Sequence, residues 1–338
     1  MEALGIGDLH FDGPFTKLVP DGATVICNEV QKIIDWGRKR GINRVFFYGD
    51  VCDTPRMSYE SYRAFAKLLR SNPNTEFHMI LGNHDKFAVQ SEAGHSLELI
   101  KDLLDVMDAL PNVNLYTEPT DVEIEGVPVR FLPWPSRAFS KRMLNVAHIE
   151  TAGSKSDSGK LMDPEGLYEG NAVILAGHLH TEQVVRNTYF SGTPFQQNFG
   201  EGLKKYFHHI RFESVKDYEI EKIRTRPQYT LHNILVKSKR DLELIPDSPT
   251  DLVKLIVRDG ADVDATAWAN KPNVVKTTGY RSREELEAVL TADLAQSEQI
   301  TVDTTAFFMA WLETQTEISE EDRTALPKLR RSILRRGQ

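Results

Sequence analysis

The sequence predicts an α/β layered domain carrying a smaller second module and a helical end. Three observations predict it. In the first two hundred residues, short and almost wholly apolar runs alternate with helical patterns. After about Phe212 the runs become alternating and proline-punctuated. From about Val302 the pattern is helical, with an apolar stripe.

The apolar runs are Ala3–Asp8, Arg44–Asp50, Phe77–Asn83, Leu144–His148 and Ala172–His178. Strands covered on both faces read this way, so they predict a buried parallel sheet. Between them, about Thr24 to Arg40 places Ile26, Val30, Ile33, Ile34 and Trp36 on one stripe, with Gly41 as the stop. Further helices are predicted over about Ser58–Arg70 and Ser96–Leu110, each ending near a proline-asparagine breaker. Asp121–Trp134 predicts a hairpin about a Glu-Gly turn. Thr151–Gly170, rich in Gly, Ser and Lys, predicts a mobile surface loop. "YTLHNILVKS" and "DLVKLIVRD" predict half-buried strands of an α+β module. The predicted parts are therefore 1–212, 213–295 and a helical 296–338, in which Pro327 breaks or kinks the last helix.

The chain has 338 residues, 40% hydrophobic and 27% charged, as in soluble globular proteins. No apolar stretch approaches the roughly 20 residues of a membrane helix. The start, "MEALGIGDLHF", lacks the basic region of a signal peptide. Cys27 and Cys52 are spaced neither as a metal knuckle nor as a redox pair, and read as small buried residues of a reducing cytoplasm. A net charge of -8 argues against bulk non-specific nucleic-acid binding, though not against a nucleic-acid substrate.

The chemistry lies at the strand ends. They read Gly-Asp8-Leu-His10, Gly-Asp50-Val-Cys-Asp53, Gly-Asn83-His84-Asp85, Ala-His148 and Gly-His178-Leu-His180. Five of the chain's ten histidines fall there, so the conjunction carries weight that no single motif has. In open α/β sheets, sites form beyond the carboxyl ends of the strands. The ligand set is imidazole, carboxylate and amide oxygen without thiolate, which suits Mn²⁺, Fe²⁺ or Zn²⁺. Two such cations held roughly 3.5–4 Å apart bind one phosphate and stabilise the attacking and leaving oxygens.

In this order the motifs resemble the calcineurin-like metallophosphoesterase superfamily, over about the first 200 residues. The resemblance implies a metallophosphoesterase sandwich of mixed sheets flanked by helices, with a capping domain. It implies that Asp8, His10, Asp50 and His180 hold one metal, and that Asp50, Asn83, His148 and His178 hold the other. Asp50 bridges. His84 faces the substrate and assists the leaving oxygen; side chains adjacent at a strand end point apart. Thr54-Pro55 after Asp53, and Asn-His-Asp rather than Asn-His-Glu, disfavour a protein phosphatase.

Three stretches resemble the SbcD family of DNA-break nuclease subunits: "FLPWPSR" (Phe131–Arg137), "VAHIETAGSKSDSG" (Val146–Gly159) and "FSGTPFQQNFGEGLKKYF" (Phe190–Phe207). The short chain and "ISEEDRTALPKLRRSILRRGQ" are most similar to the compact phage-encoded members. The catalytic candidates are His84 and Asp53; some relatives have a histidine, tied to exonuclease action, where Asp53 stands, a departure that bears on the balance of exonuclease and endonuclease action. The resemblance implies a nuclease with 3′-to-5′ double-strand exonuclease and single-strand endonuclease activity, in DNA recombination, repair and replication. It implies two divalent ions, Mn²⁺ first and Mg²⁺, Fe²⁺ or Zn²⁺ otherwise, an SbcC-type SMC-like ATPase partner, a homodimer through the nuclease domain, no membrane, and the (host) cytoplasm. The alternative is a small-molecule phosphodiesterase acting on cyclic or dinucleotide substrates. Arg56, Arg137, Lys141, Arg142, Lys204 and Lys205 are the phosphate-contact candidates. Phe307, Phe308, Trp311 and Leu312 are the partner-binding candidates.

Overall fold

The computed structural model describes residues 1–86, 97, 111–157, 159–162, 168, 170–261, 263, 266–282, 285–290 and 292. The chain divides into Met1–Leu294 and Ala295–Gln338. The second unit, with Phe307, Phe308, Trp311 and Leu312, lies outside the described residues. So does the helix expected over Ser96–Leu110, apart from Leu97, which is helical.

Two six-stranded sheets build the body. The first contains β1 (Glu2–Ile6), β2 (Arg44–Phe47), β3 (Glu76–Ile80), β4 (Val113–Tyr116), β11 (Tyr206–Ser214) and β12 (Asp217–Arg224), in the order β12-β11-β1-β2-β3-β4. The second contains β5 (Thr120–Ile124), β6 (Val127–Leu132), β7 (Leu144–His148), β8 (Ile174–Gly177), β9 (Gln183–Val185) and β10 (Thr188–Phe190), in the order β5-β6-β7-β8-β10-β9. β1 to β4 run parallel, as do β6, β7, β8 and β10. The expected hairpin is β5-β6; Glu125 and Gly126 both have positive φ, +51° and +78°, the two-residue turn that matches strand twist.

Strand alternation explains the layers. Ala3, Phe46, Tyr48 and Ile80 of the first sheet pack on Val129, Phe131, Leu144, Val146 and Leu175 of the second. Their neighbours Leu4, Ile6, Val45, Phe47, Phe77 and Met79 face α1 (Pro14–Leu18), α2 (Gly22–Arg38) and α3 (Tyr59–Arg70). Ser58 caps α3 by accepting a bond from the Ser61 amide at 3.2 Å.

The third sheet is β13 (Thr230–Val236), β14 (Asp251–Arg258) and β15 (Val274–Tyr280), all parallel, with α4 (Thr266–Ala269) on the crossover between the last two. β14, expected to be half-buried, is covered almost throughout because it is the middle strand. The boundary expected at 212/213 also moves. β12 alternates charged and apolar residues, but it pairs antiparallel with β11 and completes the first sheet. The change of sheet therefore comes after Arg224.

Phe131 shows what the inter-sheet core is worth. It is fully buried, stacks on Tyr116 at 4.1 Å and on His78 at 5.3 Å, and meets Phe46 edge-on. Phe131→Ala leaves a cavity between rigid sheets, so urea unfolding is expected to show a loss of about 3–5 kcal/mol.

Candidate metal centre

The parallel strands of both sheets end at one rim, and the five motifs follow them there. Tight turns bring the ends together. Gly49 has φ +95°, and a Cβ on it would lie 2.6 Å from His148 Nδ1. A Cβ on Gly82 would lie 2.0 Å from Asp50 Oδ1. Only glycine allows either approach. Asp8, His10, Asp50 and His178 themselves have positive φ. Such conformations cost on the order of 1–3 kcal/mol each, and backbone bonds hold them. The Leu9 and His10 amides donate to Asp50 O at 2.9 and 3.0 Å. The His178 amide donates to Asp8 Oδ1 at 2.9 Å, and the His84 amide to Asp50 Oδ1 at 2.9 Å.

Among the described residues, the metal-capable side-chain atoms converge in three groups; His10, Asp53 and His84 form one, and the other two contain the ligand candidates. Asp8, His10 and His180 form the first of these two, with the Nε2 atoms of the two histidines 3.1 Å apart. Asp50, His148 and His178 form the other. Asn83 Oδ1 joins the second, 2.8 Å from His148 Nε2 and 3.0 Å from His178 Nδ1. Asp50 Oδ2 reaches both groups, 3.1 Å from His148 Nε2 and 3.8 Å from His10 Nε2. These are the seven ligand candidates of the sequence, brought together from both sheets.

The residues fit a pair of divalent cations. Asp8 Oδ2 is buried and has no hydrogen-bond partner among the described residues. A sealed anionic oxygen without a donor is costly unless a cation meets it. Each histidine is also tethered through its outward nitrogen. His10 Nδ1 donates to Asp53 Oδ1 at 3.1 Å, His148 Nδ1 to Tyr48 O at 2.8 Å, His178 Nε2 to Glu150 Oε1 at 2.8 Å, and His180 Nδ1 to Glu201 Oε1 at 2.9 Å. Such outer bonds fix the tautomer and aim the inner nitrogen of a metal-binding histidine. Asp157 stands 3.5 Å from His180 Nδ1.

His84 faces away from Asn83. Its ring meets His10 edge-on at 4.7 Å, and Nδ1 donates to the Asp53 carbonyl at 2.9 Å, which leaves Nε2 without a hydrogen-bond partner among the described residues. Asp53 thus touches His10 through its side chain and His84 through its backbone. Asp85 locks two loops: Oδ1 accepts the Cys52 amide at 2.8 Å and Oδ2 the Gly82 amide at 2.9 Å. Burial and the charge of Asp50 push its pKa to about 6.

Sequence reasoning missed Glu150, Asp157, Glu201 and Asp85 as partners of the site. Glu150 carried a signal, since it stands two residues after His148 and so repeats the spacing of His178 and His180. Lys205 requires a correction. Taken as a phosphate contact, it is buried, and its ammonium bonds to Glu201 Oε2, Thr193 Oγ1 and His180 O. Lys204 beside it is exposed, as are Arg56, Arg137, Lys141 and Arg142. The stretch expected as a surface loop after Thr151 is partly packed: Thr151 and Ser154 are buried, and bridges join Thr151 to Tyr168 and Lys155 to Leu161.

Burial raises the Asp8 pKa. Burial also opposes charge on Asp50, but His148, His84 and His10 overcome it and hold that carboxyl well below the usual range. Both nitrogens of His148 face oxygens. Burial works against its charge, yet Asp50 and Asp8 lift its pKa to about 9. Asp157 and Glu201 likewise lift His180, against burial, to about 10. Folded values above the unfolded one give stability that is complete below about pH 6.5 and lost as pH rises through about 9 and 10. Metal binding must displace these protons. Chelator-treated protein is therefore expected to melt at progressively lower temperature from pH 7 to 10. Mn²⁺ titrations at pH 7 in buffers of different ionisation enthalpy should show proton release; a heat independent of buffer would contradict the assignment.

No helix among the described residues is long and apolar enough to cross a membrane. Among known proteins the chain is similar to the exonuclease subunit 1 of Enterobacteria phage T4, 24% identical over 219 residues. The match covers 60% of this chain, and the chain spans about 61% of that relative's length. Residues 1–182 match the calcineurin-like phosphoesterases. That stretch is more than half of the chain and contains all five strand-end motifs, so the protein belongs to the calcineurin-like phosphoesterase family.

Proposed function

We propose that the protein is a dinuclear-metal DNA nuclease, the hydrolytic subunit of a complex with an SMC-like ATPase of the SbcC type. The observation that carries the reading is Asp50 Oδ2, placed within reach of both donor groups. Asp8, His10, Asp50 and His180 would hold one ion, and Asp50, Asn83, His148 and His178 the other. Mn²⁺ is the first choice, with Mg²⁺, Fe²⁺ or Zn²⁺ as alternatives. When bound, the pair supplies Lewis-acid activation of water and neutralises charge on the phosphoryl oxygens.

The chain's own residues do the rest. The Asp53 carbonyl holds the Nδ1 proton of His84, so Nε2 is presented to the substrate. There, when it also carries a proton, it stabilises charge building on the phosphoryl oxygens and gives that proton to the leaving 3′ oxygen, returning to the neutral Nδ1–H tautomer, a role worth about 10²–10⁴-fold in rate. Asp53 sets the ring of His10 and the tautomer of His84 together. Arg56, Arg137, Lys141, Arg142 and Lys204 remain the phosphate contacts. Arg137 is close enough that its charge helps depress the pKa of Glu150, after the bond from His178 to that carboxylate. DNA, rather than a small phosphodiester, is supported by the phage relative, whose name is that of an exonuclease subunit. The same name supports a multi-subunit assembly. The homodimer, the ATPase contact through Phe307, Phe308, Trp311 and Leu312, the exonuclease and endonuclease activities and the host cytoplasm belong to this proposal.

His84→Ala is expected to keep two equivalents of Mn²⁺ and to lose at least about 10²-fold in turnover of linear DNA. Asp50→Asn is expected to weaken both ions together in calorimetry. Hydrolysis of bis-p-nitrophenyl phosphate with no cleavage of linear or single-stranded DNA, with and without a co-expressed ATPase, would replace the nuclease by a small-molecule phosphodiesterase. Removing one of the five exposed cations should lower DNA affinity alike for all sequences and reduce the salt slope by about 1.

A further inference from the structure

The segment Thr193–Lys205 forms no regular element, yet most of its polar side chains are sealed. Thr193, Gln196, Gln197, Asn198, Glu201 and Lys205 are all buried. Irregular chain normally keeps such groups in water. Burying them is tolerable only if their bonds are made elsewhere.

Most of those bonds converge on Glu201. Oε1 accepts from His180 Nδ1 at 2.9 Å and from Asn198 Nδ2 at 3.2 Å. Oε2 accepts from Thr193 Oγ1 and the Gln197 amide, each at 3.2 Å, and from the Lys205 ammonium. A carboxylate has about four lone-pair sites, so five donors leave it no freedom to turn. Lys205 in turn donates to His180 O at 3.2 Å and Thr193 Oγ1 at 2.7 Å. One ion pair thus grips His180 at both its ring and its backbone. Gln197 carries the same frame to the neighbouring motif, donating to the carbonyls of Asp8 and Leu9 at 3.2 and 3.0 Å.

We infer that Glu201, locked by Lys205, is the positioning residue for His180 and sets the affinity of the cation group formed by Asp8, His10 and His180. The inference rests on the reading of His180 as a metal ligand. Glu201 keeps the Nδ1 proton in place, so the Nε2 lone pair faces His10 Nε2, 3.1 Å away. Without it the ring turns, or the proton moves to Nε2, and one ligand is lost. The Asp50, Asn83, His148 and His178 group has its own tethers at Tyr48 O and Glu150 and is untouched.

The test is Mn²⁺ binding to the full chain, by calorimetry and electron paramagnetic resonance. Glu201→Ala is expected to hold one ion with wild-type affinity and the second about 10–100-fold more weakly, and to convert the spin-coupled pair signal to that of an isolated ion. Glu201→Gln, whose amide oxygen still accepts the Nδ1 proton, should restore part of the loss. If Glu201→Ala fails to fold because Lys205 is left buried and unpaired, Glu201→Ala with Lys205→Met removes both charges and is read the same way. Two ions bound as tightly as in the wild type would overturn the inference. So would equal weakening of both ions in step with a lower melting temperature, the signature of a merely structural role. DNA cleavage does not enter this readout, so a failed nuclease reading would leave it standing, and the reverse also holds.

Discussion

The whole rim is organised around one buried carboxylate. Asp50 leaves β2 at a left-handed residue, gives one oxygen to the His84 amide, and turns the other toward histidines from both sheets. The two glycine approaches follow from it, because Gly49 lets the chain turn into Asp50 and Gly82 leaves room beside its oxygen. The sheets must also meet at this point, and the Tyr48 carbonyl that accepts from His148 is a bond between layers.

A site of this kind is easily read at its centre and poorly at its edge. Strand ends carry inward groups at fixed spacing, so Asp8, His10, Asp50, Asn83, His84, His148, His178 and His180 can be found from local pattern alone. Of their outer partners, Asp53 and Glu150 carry a local signal, but Glu201 does not. Glu201 meets His180 from 21 residues away, and nothing local marks it as facing a histidine. Lys205 failed for a related reason. Two lysines after a glycine have the composition of a solvated loop, and only the fold shows that the second turns inward. β12 misled through its charges: an edge strand covered on one side alternates as a strand of a separate module would, and pairing decides which it is.

Charge is arranged in shells around the rim. The inner groups combine neutral and anionic donors. Behind them stand the carboxylates of Asp53, Glu150, Asp157 and Glu201, 2.8–3.5 Å from ring nitrogens of His10, His178 and His180. Exposed cations lie farther out, on loops. With a formal charge of -8, long-range attraction for a polyanion is weak, and the exposed arginines and lysines act only at close approach.

Gln196 extends this frame into the three-stranded sheet. Its side chain accepts the Leu231 amide at 2.9 Å and donates to the Leu231 carbonyl at 3.1 Å, as a strand neighbour would, while also donating to Glu201 O at 2.9 Å. Asn233 adds a bond to the Phe199 carbonyl at 2.7 Å. The first strand of the small sheet is therefore anchored near its start to the segment that holds His180. The bonds run from Leu231 through the Gln196 side chain to the Glu201 backbone, and the carboxylate of Glu201 holds the His180 ring, so the small sheet and the rim share one hydrogen-bonded frame.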